Sequence, residues 1–170
     1  MIILITGLMA SGKSTVAEGL ARRLPRAVHL RGDVFRRMIV SCRAEMSENP
    51  SPEAMKQLQL RYRLSACAAM EYAKAGFDVV LQDNYYGEAW ADMLSLLADW
   101  QPRAFVLNPD TAAIARREAA RGKTGYHQFD VLFLYQEFQR TTPRLGTWLD
   151  ISNQSPEETV EQILKLLQGP

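Results

Sequence analysis

Charge of one sign is what the sequence most clearly lacks. Twenty Lys and Arg residues against nineteen Asp and Glu residues leave a formal net charge of +1. Proteins that wrap a long nucleic acid or lie on an anionic membrane usually carry a marked positive excess, so this balance argues against both partners. Cysteine is also scarce. Cys42 and Cys67 have neither metal-ligand nor disulfide spacing, and we expect Cys67, within an alanine-rich helical stretch, to be a buried thiol.

Long hydrophobic runs are absent as well, although 47% of the 170 residues are hydrophobic. No run is long enough to span a bilayer, and the short apolar start leads straight into a glycine loop rather than a signal-peptide core. We therefore expect a soluble cytoplasmic protein without a membrane partner. The length suits one domain with a real core, and no linker or repeat divides it, so residues 1–170 are predicted to form a single domain.

Glycine is not abundant, with ten residues, but two of them bracket the most informative motif. The octapeptide from Gly7 to Ser14 reads G-x-x-x-x-G-K-[ST], the phosphate-binding loop of nucleotide-binding enzymes. Residues 2–6 before it are aliphatic and β-branched, as in a buried parallel strand, and apolar residues after it recur at helical spacing. This order predicts a nucleotide site formed by Gly7, Leu8, Met9, Ala10, Ser11, Gly12, Lys13, Ser14 and Thr15.

The residue types of this loop fit phosphate chemistry. Gly7 and Gly12 permit backbone angles that direct successive N–H groups at one phosphate, and the following helix adds unpaired donors. Lys13 supplies a point charge for the β- and γ-phosphates, and the Ser14 hydroxyl is a ligand for Mg²⁺. The sequence therefore predicts ATP and Mg²⁺ as ligands.

Two aspartates follow predicted strands. Asp33 comes after the short strand 27–30, and Asp83 comes after the strand 77–82. In open α/β sheets ligands bind outside the carboxyl ends of the strands, so both carboxylates are expected near the nucleotide. Asp33 has two interpretations, a helix N-cap or a general base for a substrate hydroxyl. For Asp83 we favour a Mg²⁺ ligand over a turn-forming residue.

The rest of the sequence continues to alternate between strand and helix patterns. A long helix is predicted over 52–75, and further strands over 104–107 and 146–151. Cations cluster in the helix after the fourth strand. They form either a solvated helix face or an arginine-bearing lid, around residues 116–128, that closes over the transferred phosphate. Five strands alternating with helices predict an α/β fold with a parallel sheet.

Three segments of the chain resemble the small P-loop kinases, the group of adenylate, shikimate, gluconate and adenylylsulfate kinases. They are the loop from Gly7 to Thr15, the Gly32-Asp33 pair followed by Arg36, and the stretch from Arg117 to Gly122. Within the group, the sequence is most similar to the chloramphenicol phosphotransferase-like enzymes. The resemblance spans nearly the whole chain. It implies a three-layer P-loop NTPase sandwich whose five-stranded parallel sheet has the order 2-3-1-4-5, with helices on both faces.

The resemblance also implies catalytic roles. Asp33 would accept the proton of the attacked hydroxyl, while Lys13 and Arg121 would stabilise the transferred charge. Lys123 is a departure, because some antibiotic phosphotransferases carry an acidic residue after the arginine–glycine pair of the lid. We therefore leave the identity of the acceptor open.

The nucleotide-binding positions outside the loop also follow from the resemblance. Arg117 would contact the nucleotide, although a small helix rotation would give its place to Arg116. Adenine would lie near Asn153 and Gln154. The predicted acceptor-binding residues are Asp33, Arg36, Asp83 and Tyr85.

Several functions fit this pattern. The favoured one is an ATP-dependent phosphotransferase acting on a hydroxyl of a small molecule, either antibiotic-like or a metabolite. The Gly32–Arg36 segment also resembles 5′-hydroxyl polynucleotide kinases, and Arg31, Arg36, Arg37 and Arg43 would then hold nucleic-acid phosphates. An ATP-binding switch without phosphotransfer is the third alternative. Six apolar and aromatic residues either line an acceptor pocket or belong to the core: Phe35, Met38, Met46, Tyr85, Tyr86 and Trp90.

Overall fold

A parallel five-stranded sheet organises the computed structural model, which describes residues 1–47, 49–120 and 130–169. The strand order is β2-β3-β1-β4-β5, and every neighbouring pair is parallel. This confirms the predicted α/β sandwich and its order. The strands are β1 (Ile2–Gly7), β2 (Ala27–Arg31), β3 (Asp78–Gln82), β4 (Arg103–Leu107) and β5 (Thr147–Leu149).

Helices cover both faces of the sheet. They are α1 (Lys13–Arg23), α2 (Asp33–Arg37), α3 (Pro52–Lys74), α4 (Glu88–Leu96), α5 (Thr111–Ala120), α6 (Val131–Thr141) and α7 (Pro156–Gln168), with a short 3-10 turn at Ala98–Trp100. Helices α1 and α7 pack on one face, while α3, α4, α5 and α6 contribute to the core on the other. The arrangement is the three-layer sandwich that the sequence predicts.

The central strand β1 divides the core into two layers. All six of its residues are buried. Side chains alternate between sheet faces, so Ile2 and Leu4 join the layer under α3 and α4, while Ile3 and Ile5 join the layer under α1 and α7. A strand buried on both faces needs apolar residues throughout, which explains the unbroken aliphatic run before the glycine loop.

For helix α3, the sequence pattern predicts the bounds of the helix well but predicts the burial of one residue wrongly. It ends at Lys74, one residue short of the predicted boundary, and the Ser51 hydroxyl caps its start by accepting the Ala54 N–H at 3.1 Å. The prediction that Cys67 is buried is wrong, since the residue is exposed. Ala66 and Ala69 take the positions against the sheet, and the intervening rotation of about 100° per residue turns Cys67 towards solvent.

Candidate active site

The carboxyl ends of β1, β2 and β3 open into one cavity of about 510 Å³. Its walls come from the glycine loop and the start of α1, from the residues after β2 and β3, and from α3, α5 and the start of α7. The lining residues are Met9, Ala10, Ser11, Gly12, Lys13, Ser14, Thr15, Val16, Arg31, Asp33, Arg61, Gln82, Asp83, Asn84, Arg117, Ile151, Gln154, Pro156 and Thr159. The cavity thus collects most of the predicted site residues.

The two glycines that bracket the loop have backbone angles that side chains rarely permit. Gly7 has φ 150° and Gly12 has φ 99°. A β-carbon on Gly7 would also collide with the carbonyl oxygen of Leu107 at the end of β4. The loop can therefore turn tightly over the sheet edge only with glycine at this position. Leu8, between them, is 3% exposed and packs in the core.

Lys13 is held inside the loop. Its side chain is almost fully buried, and Nζ donates to the carbonyl oxygens of Gly7 and Leu8, each at 2.7 Å. These contacts draw the ammonium into the curve of the loop, beside the backbone N–H groups at the start of α1. The result is a compact positive centre facing the cavity.

Ser14 lies beside a polar residue that the sequence did not single out. The Gln82 amide nitrogen at the end of β3 donates to Ser14 Oγ at 3.3 Å. Both residues line the cavity, together with Thr15, which is exposed. A hydroxyl fixed at the first turn of α1 suits a metal that also binds phosphate oxygens.

Asp33 does not act as a helix cap. The N-cap position of α2 is Gly32, no side-chain cap hydrogen bond forms, and the Asp33 carboxylate instead binds Arg31 (at 3.2 Å) and Arg37. Partial burial alone would raise the pKa of this carboxyl, but the two guanidiniums outweigh burial and hold the pKa below its ordinary value. Asp33 is therefore an ionised carboxylate at the cavity wall.

Asp83 forms a buried ion pair with Arg61, a residue on α3 that the sequence did not single out. Arg61 Nε donates to Asp83 Oδ2 at 2.6 Å, and Arg61 Nη2 donates to Oδ1. The side chains are 12% and 3% exposed. Burial lowers the pKa of the Arg61 guanidinium from its ordinary value, an effect that nearby groups, Asp33 among them, partly oppose.

Gly32 is the residue that makes room for this carboxylate. Its backbone angles, φ −60° and ψ −30°, suit any residue. A β-carbon there would nevertheless overlap Asp83 Oδ2 and lie 2.8 Å from Asp83 Cγ. Glycine is thus needed here for space, not for conformation.

We expect Gly32→Ala to destabilise the protein by about 1–3 kcal/mol, as overpacking does elsewhere. The buried Arg61–Asp83 pair cannot yield without losing its geometry. Chemical denaturation measures the effect, with Gly19→Ala as the control, since a β-carbon there meets only a Val160 methyl group at 3.2 Å. Equal free energies of unfolding for wild type and Gly32→Ala would contradict the tight packing.

Arg117, rather than Arg116, reaches the nucleotide loop. Its guanidinium donates to the carbonyl oxygens of Ser11 (3.0 Å), Ile151 (2.7 Å) and Gln154 (3.3 Å). Within the described residues, Arg116 donates to Ser152 O alone, at 3.4 Å, and does not line the cavity. A single arginine therefore ties the phosphate loop to the segment after β5.

Other predicted residues lie elsewhere. Asn153 is exposed and outside the cavity lining, where its neighbour Gln154 stands. Arg36 binds Ala44 O at 3.3 Å and the Glu45 carboxylate, also outside the cavity. Arg121, with the predicted lid from residue 121 onward, lies outside the described residues.

Tyr85 is a core residue. It is fully buried, with its ring centroid 4.9 Å from that of Tyr62 and 6.4 Å from that of Trp90. The structure does not bring this side chain to the cavity, because residues 85 and 90 pack under α3 and α4. For Tyr85 and Trp90, the core interpretation is the one that fits.

The basic patch expected of a polynucleotide kinase is half neutralised, because its four arginines pair with two carboxylates. Arg31 and Arg37 share Asp33, while Arg36 binds Glu45 and Arg43 lies 3.7 Å from it. This pairing lowers the charge that the patch can offer to a phosphate backbone.

The residues around the phosphate loop fit Mg²⁺ only in part. The Ser14 hydroxyl suits an ion that takes its remaining ligands from phosphates and water. The Asp83 carboxylate does not fit, because it is only 3% exposed and its oxygens accept from Arg61 and from the Asn84 N–H. Among the described residues no group of three or more His, Cys, Asp or Glu side chains converges on a metal position, and no described helix has the length and apolar character for crossing a bilayer.

Comparisons with known proteins agree with this geometry. The sequence model of the family described as AAA domain matches residues 2–134. A comparison with curated protein sequences gives no match. Among solved structures, the Deinococcus radiodurans tunicamycin resistance protein is 19% identical with a TM-score of 0.72, and the alignment covers 98% of this chain and 94% of that one.

Two kinases are also similar. The APS kinase of Mycobacterium tuberculosis, solved with AMPPNP and APS, is 22% identical with a TM-score of 0.71, covering 99% of this chain and 97% of that one. The shikimate kinase of Aquifex aeolicus is 20% identical with a TM-score of 0.63 and the same coverage. At such identities the likeness shows the fold, which confirms the resemblance to small P-loop kinases.

Proposed function

Since the chain belongs to the AAA domain family, we propose that it is an ATP-dependent phosphotransferase whose acceptor is a hydroxyl-bearing small molecule. One observation carries the proposal. A single cavity holds both the phosphate loop with Lys13 and the ionised carboxylate of Asp33. A donor site and a proton acceptor that share one cavity are what phosphoryl transfer to a hydroxyl requires.

The donor side of the cavity is built for phosphates. The backbone N–H groups of the loop and the Lys13 ammonium would bind the β- and γ-phosphates of ATP, and Arg117 would hold the loop against the segment after β5. Mg²⁺, held by Ser14 and phosphate oxygens, would neutralise part of the charge that develops on them. Arg121 and Asn153 are proposed from the family resemblance, as a charge stabiliser and a neighbour of adenine.

The acceptor side is centred on Asp33. A bond forms between the acceptor oxygen and the γ-phosphorus, and the bond from that phosphorus to the β–γ bridging oxygen breaks, so that ADP leaves. The hydroxyl proton passes to Asp33, which is acceptor-only while ionised. Because the transition state of phosphoryl transfer is loose, a weakly basic carboxylate suffices.

An acceptor screen tests the proposal. ADP release is measured with ATP and Mg²⁺ against hydroxyl-bearing antibiotics, sugars, nucleosides, hydroxy acids and oligonucleotide 5′ ends. We expect turnover that depends on one small-molecule class and transfers phosphate to it, as shown by mass spectrometry. Turnover confined to oligonucleotide ends would identify a polynucleotide kinase instead. Nucleotide binding without any acceptor-dependent turnover would favour the switch.

The arginines around Asp33 predict a pH effect. Below its pKa the carboxyl is protonated and cannot take the hydroxyl proton, so the low pKa keeps wild type active at mildly acidic pH. In Arg37→Ala, burial is opposed by Arg31 alone, and we expect the pKa of the Asp33 carboxyl to rise. ¹³C NMR titration of the Asp33 carboxyl and the acidic limb of kcat/KM should both move upward.

The matched control for this prediction is Arg22→Ala, which removes an exposed arginine paired with Glu18 at 2.8 Å, on α1. The pKa of the Asp33 carboxyl should be the same in Arg22→Ala as in wild type. An Asp33 pKa that is the same in wild type and Arg37→Ala would mean that Arg37 does not lower it.

A further inference from the structure

The buried pair of Arg61 and Asp83 lies at the acceptor end of the cavity, and the donor-side chemistry leaves it unused. Asp83 Oδ1 accepts from Arg61 Nη2 and from the Asn84 N–H at 2.7 Å. Asp83 Oδ2 accepts from Arg61 Nε and faces Gly32, which has no room for even a methyl group. Both carboxylate oxygens therefore have donors that orient them, and Gly32 closes the space beside Oδ2.

This enclosure bears on what Asp83 can do. A carboxylate that binds Mg²⁺ must turn at least one oxygen lone pair to the ion. Here Asp83 Oδ1 accepts from two donors, whereas Asp83 Oδ2 accepts from one donor and lies close to the Gly32 backbone. Asp83 is built to hold a guanidinium in one orientation, and fork-to-fork pairing is the geometry that fixes arginine most firmly.

Arg61 is left with a free edge. Asp83 engages Nε and Nη2, and Nη1 has no hydrogen bond within the part of the chain that the structure describes. The side chain lines the same cavity as Asp33. A fixed arginine with unused N–H donors, placed in a pocket, is suited to a planar or tetrahedral oxyanion.

We infer that Arg61 binds an anionic group of the acceptor, a carboxylate, phosphate or sulfate, and that Asp83 is the positioning residue for Arg61 and not a ligand of Mg²⁺. This rests on the proposed function, since it places the anionic group beside the hydroxyl that Asp33 serves. The acceptor class is then a small hydroxyl compound bearing an oxyanion, with both groups short enough to share the cavity.

Sulfate titration tests the binding role of Arg61. The protein is first saturated with Mg²⁺ and AMPPNP, so that the phosphate loop is filled, and sulfate binding is measured by calorimetry at constant ionic strength. We expect wild type and Arg63→Gln, an exposed arginine two residues along the same helix, to bind sulfate alike. Arg61→Gln should weaken binding at least about 10-fold, the loss of one strong charge-assisted contact. Equal affinity in all three, or no sulfate binding to wild type, overturns the inference.

Two substitutions test the role of Asp83. In Asp83→Asn the Mg²⁺ concentration needed for half-maximal ADP binding should stay within about twofold of wild type, whereas Ser14→Ala should raise it about 10-fold or more. Asp83→Asn should also lower Tm by about 10 °C, because Arg61 loses its buried counter-ion. A 10-fold rise in the Mg²⁺ requirement of Asp83→Asn would make Asp83 a metal ligand and overturn this part.

Asp83→Glu keeps the charge but displaces the carboxylate by one methylene. If positioning matters, sulfate affinity falls several-fold while the Mg²⁺ requirement is unchanged; unaltered sulfate affinity would contradict the positioning role. Should this variant fail to fold, the Asp83→Asn and Arg61→Gln measurements still test the roles of Asp83 and Arg61. Because these binding measurements need no turnover, they are independent of the acceptor screen. If the acceptor screen identified a kinase with an uncharged acceptor, the inference about Arg61 would be refuted while the proposed function would stand.

Discussion

Lys13→Ala is expected to lose phosphotransfer by at least about 10²–10³-fold, the range found when one preorganised charge-stabilising donor is removed. The ammonium is the positive centre of the phosphate loop, and no other described cation shares its position. Lys13 is held by the carbonyl oxygens of Gly7 and Leu8, while Arg117 binds a carbonyl oxygen of the loop and one of the segment after β5. Its loss should also weaken ATP binding by about 1.5–3 kcal/mol, the value of a hydrogen bond to a charged group.

The same substitution has a structural cost that must be separated from the catalytic one. Removing Nζ leaves the carbonyl oxygens of Gly7 and Leu8 without that donor, so some loss of stability is expected. Thermal melting and nucleotide titration are therefore made on the preparation used for turnover. Lys56→Ala, an exposed lysine on α3, serves as the control. Normal turnover by a folded Lys13→Ala would refute the donor site.

Asp33→Asn should reduce phosphotransfer by roughly 10²–10⁴-fold, the usual contribution of a general base, with values near the lower end acceptable for a loose transition state. The amide keeps the shape of the carboxylate but is essentially non-basic. Stability and ATP affinity should remain close to wild type. The ion pairs that disappear involve Arg31 and Arg37, which are 43% and 62% exposed, and such pairs contribute only about 0–1 kcal/mol.

Because the Asp33 side chain does not cap α2, Asp33→Asn separates a catalytic effect from a structural one. Because Gly32 occupies the N-cap position of α2, a large loss of stability in Asp33→Asn has no structural basis. Asp92→Asn, an exposed aspartate on α4, is the matched control. Normal turnover by Asp33→Asn would show that Asp33 only orders the arginines around it, and the base would have to be sought elsewhere.

The fold was predictable because its signals are local. Aliphatic runs with polar residues at their carboxyl ends mark buried parallel strands, and four-residue spacing marks the helices between them. The fifth strand was predicted over 146–151, but the structure keeps only Thr147–Leu149, since its ladder with β4 extends over three residue pairs. Strand ends depend on the neighbouring strand, and one sequence does not reveal where that neighbour stops.

The site was less predictable, because its decisive contacts join distant residues. Arg61 and Asp83 are 22 residues apart, and their pairing depends on how α3 crosses the sheet. A signal was present: Arg61 occurs in helical register with Ala54, Leu58 and Ser65, where a charged side chain needs a partner. Tyr85 illustrates the opposite failure, since an aromatic residue after a strand suits a pocket and a core equally well.

The burial of β1 between β3 and β4 also bears on how the chain is made. Its apolar residues are synthesised first among the described strands, but both neighbours come later, and β4 ends at Leu107. At about 5–20 residues per second, the ribosome needs on the order of 5–20 s to add these roughly 100 residues. Until β3 has been made, β1 has no neighbour on either side, and one of its edges stays unpaired until β4 has been made. The nascent chain therefore exposes a segment that chaperones bind and that promotes aggregation when synthesis outpaces their supply.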